Sequence, residues 1–272
     1  MRIAVGQLRV ARDPQENLKR IEDLTVQAAG ARARLLLLPE GLISRDAQDP
    51  DATRAGAQDP DGPFVSELLE ISRRHGMALA GTVHLKHGDK VVNAFLVADR
   101  GALAARYDKL HLYDAFNDKE SDKVTAGDDY PPVVEIDGVR LGLVTCYDLR
   151  FPEHSRHLAL NGAQVLLVSA AWVRGSLKEH HWMTLCTARA LDNTAYVVAS
   201  GEISERNVGL SCVVDPMGRV ISAAAETEDL IVADLEPQRV ADVRAKLPVL
   251  ANARFAPPTL QPYPTSTPNE KE

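Results

Sequence analysis

Short apolar runs of strand length recur along the whole chain, alternating with stretches of helical period and, in places, with turns of two or three residues. That alternation constrains the fold more than any other feature. Residues 2–10 read as a strand, 17–31 as an amphipathic helix, 34–38 as a buried strand and 63–75 as a helix. Residues 77–85, 91–98 and 102–109 form three strands joined by tight turns at His87-Gly88-Asp89 and Asp99-Arg100-Gly101. Residues 133–136 and 139–146 make a hairpin over Asp137-Gly138, a pair that tolerates the positive φ such turns require. Further on, the pattern gives a helix at 152–160, a stop at Asn161-Gly162 and a strand at 164–169. A helix at 178–192 and a strand at 195–200 precede a hairpin of 210–215 with 219–224 over Pro216-Met217-Gly218. A strand at 230–234 and a helix at 237–247 close the pattern. Strand–helix alternation interrupted by hairpins predicts an α/β chain of mixed sheets covered by helices. No linker or composition shift divides it, so residues 1–258 read as one domain, with 259–272, too polar to pack a core alone, as a mobile tail.

Composition narrows the function classes. The chain has 272 residues, 45% hydrophobic and 25% charged, which is ordinary for a globular enzyme. A net charge of −7 gives no reason to expect nucleic acid or an anionic membrane as partner. An anionic small substrate would need a local cluster of cations. The opening Met-Arg-Ile-Ala-Val-Gly reads as a strand rather than a signal peptide, and no apolar stretch approaches the roughly 18 residues of a membrane span. Three cysteines, at 146, 186 and 212, show no paired spacing, which predicts free thiols in the cytoplasm and no structural zinc.

Residues suited to chemistry stand at the ends of the apolar runs. Glu40 closes Leu35-Leu36-Leu37-Leu38-Pro39, and Lys109 lies in Tyr107-Asp108-Lys109-Leu110-His111. Cys146 ends the run that starts at Val139 and is followed by Tyr147-Asp148-Leu149-Arg150-Phe151-Pro152-Glu153. A thiol attacks as thiolate, so it needs a base, and the oxyanion formed by its attack needs a positive partner. Glu40, Lys109 and Cys146 can fill those three roles together, with the backbone N–H of Tyr147 as second oxyanion donor. An ordinary Glu titrates near 4.3, and burial of Glu40 at a strand end is expected to raise that value. Cys186 and Cys212 fall inside a helix and a strand and read as packing residues. His180 and His181 are adjacent on a helix and point in different directions, so no metal site is expected there. His111 reads as a hydrogen-bonded histidine beside Lys109.

Pro39-Glu40-Gly41, Tyr107-Asp108-Lys109-Leu110-His111-Leu112 and Thr145-Cys146-Tyr147-Asp148-Leu149-Arg150-Phe151-Pro152-Glu153 together resemble the three signature segments of the nitrilase, or carbon–nitrogen hydrolase, superfamily. They occur in the right order, and Ala170-Ala171-Trp172-Val173-Arg174 with the element pattern extends the resemblance to about residue 258. The resemblance implies a four-layer αββα sandwich, no metal or organic cofactor, and a homodimer. It implies catalytic Glu40, Lys109 and Cys146, and a supporting role for Glu120 in Asp118-Lys119-Glu120-Ser121. It also implies hydrolysis of a C–N bond through a thioester on Cys146, cleared by water that Glu40 activates.

Within the superfamily, Leu110 to Phe116 followed by Lys119-Glu120-Ser121 is similar to the Nit branch. The run from Ala170 to Trp182 is especially similar to bacterial deaminated glutathione amidases, which release 2-oxoglutarate and cysteinylglycine. That substrate carries two carboxylates. Arg150, Arg174 and Lys178, shortly after strand ends, are the candidate cations, and Arg suits carboxylate as a bidentate fork. Trp172 and His181 are expected to complete the pocket. Two alternatives stand beside this reading: an ω-amidase acting on 2-oxoglutaramate or 2-oxosuccinamate, and a non-catalytic binding or redox-sensing protein.

Overall fold

The computed structural model describes residues 1–49, 51–116 and 118–264. The first half of the chain forms β1 (Arg2–Gln7), α1 (Pro14–Gly30), β2 (Leu35–Leu37), α2 (Ala52–Ala55), α3 (Pro63–His75), β3 (Ala78–His87), β4 (Lys90–Asp99) and β5 (Ala102–Asp108). The short strands β6 (Asp114–Ala115), β7 (Asp118–Lys119) and β8 (Val124–Thr125) follow. The second half forms β9 (Val133–Ile136), β10 (Val139–Thr145), α4 (Pro152–Leu160), β11 (Val165–Ala170), α5 (Lys178–Asn193) and β12 (Tyr196–Gly201). It ends with β13 (Cys212–Val214), β14 (Val220–Ala223), β15 (Asp229–Asp234) and α6 (Pro237–Lys246).

Two mixed sheets result. One runs β15-β1-β2-β3-β4-β5, with β8 beside β4, and the other runs β14-β13-β12-β11-β10-β9. Each has a parallel centre, β1-β2-β3 in the first and β10-β11-β12 in the second, flanked by antiparallel strands. β15 leaves the second half and pairs with β1, so Arg2 faces Asp234 and the two halves are tied together.

Side-chain alternation sets the layers, because successive strand residues point to opposite faces. Ile3 and Val5, Leu35 and Leu37, Leu141 and Leu143, and Val165 and Leu167 all meet in one cluster between the two sheets. Their neighbours Ala4, Leu36 and Leu38 turn outward, onto Leu18 and Ile21 of α1 and Phe64, Leu68 and Ile71 of α3. On the other side Val144, Leu166 and Val168 meet Leu158 of α4 and Trp182, Cys186 and Ala190 of α5. The order is therefore helices, sheet, sheet, helices: the αββα sandwich that the resemblance implied. The central strands are apolar on both faces because both are covered.

Local signals fix the helix ends. Asp13 accepts a hydrogen bond from the Gln15 N–H at 2.9 Å and Pro14 opens α1. α3 begins at Pro63 and stops at Gly76, whose φ of 60° is left-handed. Asp137 and Gly138 adopt φ of 46° and 79°, the turn expected between β9 and β10.

Departures from the expected pattern have physical causes. β1 ends at Gln7, opposite Asp229, where its antiparallel partner β15 begins. Leu210, expected in a strand, has a φ of 54°, and β13 starts only at Cys212. β6, β7 and β8 were not expected, since two-residue strands carry no periodicity. Of the expected tail, Leu260 packs against the inter-sheet cluster and its N–H donates to the Tyr130 hydroxyl at 2.9 Å. Tyr263 packs beside Val91 and Val124, and residues 265–272 lie outside the described residues. No helix among the described residues is long and apolar enough to cross a membrane.

Candidate active site

Glu40 lies just past β2, where backbone bonds clamp the chain from two sides. Its N–H donates to the Ala170 carbonyl at the end of β11 at 3.3 Å, and the next N–H, of Gly41, donates to the Thr82 carbonyl at 3.1 Å. Gly41 has a φ of 81°, which a side chain would resist. Glu40 is buried, its side chain 5% exposed. Oε1 accepts from Asn93 Nδ2 at 2.7 Å and lies 3.5 Å from Lys109 Nζ, while Oε2 accepts from the Ala171 N–H at 2.8 Å.

Lys109 follows β5 and is buried, its N–H bonded to the Asn93 carbonyl at 2.9 Å. Its ammonium donates to both oxygens of Glu120, at 2.7 and 3.0 Å. Glu120 opens a short 3₁₀ turn, Glu120–Asp122, delivered by the β6–β7 hairpin. Its carboxylate accepts from the Tyr113 N–H at 2.6 Å, which fixes the base of that hairpin. The structure thus brings the looser loop residue Glu120 directly onto the buried lysine.

Cys146 does not belong to β10, which stops at Thr145. It has a φ of 44°, a left-handed conformation unusual for a non-glycine residue, and opens a 3₁₀ turn over Cys146–Arg150. The elbow sets the sulfur against the Glu40 carboxylate and the Ala171 N–H. It also leaves the N–H of Tyr147 at the start of a turn that cannot supply it with an acceptor. Asp148 holds the elbow from behind. It is fully buried and accepts from Thr145 N, Tyr107 Oη and His111 N at 3.0, 2.9 and 3.1 Å, and pairs with His111 Nδ1 at 2.7 Å. His154 lies close by and bonds the Leu143 carbonyl through Nε2 at 2.9 Å. His111, Asp148 and His154 would be near enough to share a cation, but the carboxylate is already occupied by these donors. They form the support of the elbow.

The electrostatics correct one expectation. Burial alone pushes the Glu40 carboxyl up, as anticipated, but Lys109 and Arg45, with the Ala171 N–H, outweigh it and hold its pKa at about 2. Burial and the adjacent Glu40 charge push the Cys146 thiol up, more than Lys109 pulls it down. Burial opposes the charge on Lys109, yet Glu120 and Glu40 hold its pKa above the ordinary lysine value. The resting site therefore holds a carboxylate, an ammonium and a protonated thiol.

These groups line a cleft of about 570 Å³. Arg150, Trp172 and Lys178 line it too, as expected, with the Arg150 guanidinium 4.7 Å above the Trp172 ring. Lys178 donates to Tyr113 Oη at 2.8 Å. His181 is not part of the wall and contacts Arg150 from behind, Nδ1 to Nη2 at 3.4 Å. Arg174 is exposed, donates to the Ser204 carbonyl at 3.2 Å, and lines a smaller annex of about 370 Å³ that shares Tyr113, Lys178 and Arg206 with the cleft. Cys186 and Cys212 are buried under the second sheet, among the packing residues, as expected. Sequence reasoning missed Asn93, His84, Arg45 and Asp148. A signal existed for two of them: Asn93 and His84 are polar residues inside otherwise apolar runs, and they stand opposite each other in the β3–β4 ladder.

The fold agrees with comparisons to known proteins. The carbon–nitrogen hydrolase profile matches residues 2–245. A deaminated glutathione amidase of Escherichia coli O157:H7 is 46% identical, over 96% of this chain and 100% of that protein. A 2-oxoglutaramate amidase of Bacillus subtilis is 32% identical, over 89% of this chain and 92% of its own length. Among solved structures, a carbon–nitrogen hydrolase superfamily protein of Xanthomonas campestris, with an arsenic adduct in its active site, superposes with a TM-score of 0.84. It is 29% identical and the match covers 94% of this chain and 98% of that one. The chain belongs to the carbon–nitrogen hydrolase family.

Proposed function

We propose that the protein hydrolyses deaminated glutathione to 2-oxoglutarate and cysteinylglycine through a thioester on Cys146. The observation that carries this reading is the meeting of Glu40, Lys109 and Cys146, from three separate strand ends, in one buried corner of a cleft. Similarity to the Escherichia coli amidase across its full length supports the choice of substrate. As the sulfur attacks the amide carbon, its proton passes to Glu40. The oxygen becomes negative against Lys109 and the Tyr147 N–H. Glu40 then gives the proton to the leaving nitrogen, and the C–N bond breaks. Water, deprotonated by the same carboxylate, attacks the thioester and restores the thiol. Glu120 keeps Lys109 charged and in place.

Arg150 and Lys178 are read as the cations that hold the keto-acid half, with Trp172 as an apolar wall and His181 orienting Arg150. Arg174, on the annex, is a contact for a substrate group that reaches further out. Residues 1–258 are read as one hydrolase domain that needs no metal or organic cofactor, in a cytoplasmic homodimer; the dimer and the compartment rest on family resemblance and on the free cysteines. A second reading, an ω-amidase on 2-oxoglutaramate, draws on the Bacillus subtilis relative. Steady-state kcat/KM for both substrates separates them. Deaminated glutathione is expected to exceed 2-oxoglutaramate by at least about tenfold, a difference of about 1.4 kcal/mol in transition-state binding. The reverse order would favour the ω-amidase, and turnover of neither would sink both.

A further inference from the structure

His84 sits on β3 and is 4% exposed, yet its Nδ1 has no hydrogen-bond partner among the described residues. Buried polar atoms are nearly always paired, so the unpaired Nδ1 leaves the ring of His84, a residue that lines the cleft, with hydrogen-bonding capacity that the described residues do not use. Directly opposite on β4 stands Asn93, the residue that donates to Glu40, so the imidazole lies on the Glu40 side of the cleft. Arg45 completes that wall: its Nε donates to the Glu40 carbonyl at 2.9 Å and its Nη2 lies 3.9 Å from Glu40 Oε2. Burial and the Arg45 charge keep the ring neutral, with a pKa of about 3. A neutral imidazole offers one N–H donor and one ring-nitrogen acceptor, the complement of a peptide group.

Proton transfer decides which half of the substrate meets this wall. In acylation the Sγ–C bond forms, the Sγ proton moves to Glu40, and the C–N bond breaks with its electron pair going to nitrogen. That nitrogen takes the proton back from Glu40, so it must lie within hydrogen-bond reach of the carboxylate. The leaving fragment therefore extends along the Glu40 wall. The acyl fragment stays on the side of Cys146, where the Tyr113 ring packs edge-on against Tyr147, the residue after the nucleophile, and Lys178 donates to the Tyr113 hydroxyl.

We propose that His84, together with Arg45, forms the leaving-group subsite, hydrogen-bonding the peptide group of a departing dipeptide and thereby setting the preference for a peptide over ammonia. This inference rests on the proposed hydrolysis of deaminated glutathione. Ammonia, the leaving group of 2-oxoglutaramate, carries no peptide group beyond its nitrogen to reach the imidazole. His84 then acts on specificity, as a buried hydrogen bond worth roughly a tenfold change in kcat/KM.

The test is the ratio of kcat/KM for deaminated glutathione to that for 2-oxoglutaramate in wild type, His84→Phe and His84→Gln. Phe keeps a ring of similar size without polar atoms, and the ratio is expected to fall about tenfold, chiefly through KM for deaminated glutathione. Gln restores a donor and an acceptor, and its ratio should lie between the other two. His84→Leu reads the same loss should the Phe ring fail to fit. A ratio that stays at the wild-type value in the Phe or Leu variant, because both substrates lose equally or neither does, would overturn the subsite. If wild type turns over neither substrate, the proposed function fails first and the subsite with it. If it turns over both and only the ratio fails to move, the function stands and the subsite does not.

Discussion

Buried between Lys109 and Arg45, Glu40 stays ionised while the thiol beside it keeps its proton. The nucleophile is thus made at the moment of attack, by transfer of the sulfur proton to the carboxylate, and no standing thiolate is needed. This separates two roles that are easily confused. A Glu40→Gln variant cannot take the proton, so amide turnover should fall by at least about a hundredfold. The same change removes the negative charge that raises the thiol, leaving Lys109 to stabilise a thiolate. Alkylation of Cys146 by iodoacetamide, a reagent that needs only thiolate, should therefore proceed at least as fast as in wild type. Parallel loss of alkylation and turnover would mean that Glu40 shapes the site rather than moving a proton.

At the scale of elements, the site depends on how strand ends are finished. β10 ends in the left-handed Cys146, and the 3₁₀ turn after it is anchored by Asp148 to Thr145, Tyr107 and His111. Asp148 is an ideal acceptor only as a carboxylate, and burial is outweighed by His154 and His111, which hold its pKa at about 2. Asp148→Asn would place an amide NH₂ against at least one of these donors. Loss of one charged, buried hydrogen bond predicts a destabilisation of about 1.5–3 kcal/mol, measured by urea denaturation, together with a fall in kcat as the elbow loosens. A variant as stable and active as wild type would show that the backbone holds the elbow without Asp148. The β6–β7 hairpin plays the matching part for Lys109, since it carries Glu120.

Much of the whole molecule could be read from its residues. Runs such as Leu35-Leu36-Leu37 are apolar at every position because both faces of their sheet are covered, and helix ends such as Pro63 and Gly76 carry their own signals. Glu40 and Cys146 could be singled out because each closes such a run, and Lys109 because it lies in Tyr107 to Leu112, one of the three segments that resemble the family's signatures. Other parts depend on distances that no local pattern encodes. The register that sets His84 opposite Asn93, and so beside Glu40, exists only in the folded sheet. The sign of the Glu40 shift depends on Lys109 and Arg45 arriving from elsewhere in the chain, which is why burial alone pointed the wrong way. β6 and β7, two residues each, are too short to carry a period, and the hairpin they form leads into Glu120, which meets Lys109.

All of this converges on a covalent step at one sulfur. The most direct measurement is intact-protein mass spectrometry of enzyme quenched in acid during turnover of deaminated glutathione, followed by peptide mapping. The expected result is a 2-oxoglutaryl adduct on Cys146, absent from Cys146→Ala, with Cys186 and Cys212 unmodified. Turnover that persists in Cys146→Ala, or an adduct that maps to another residue, would contradict it.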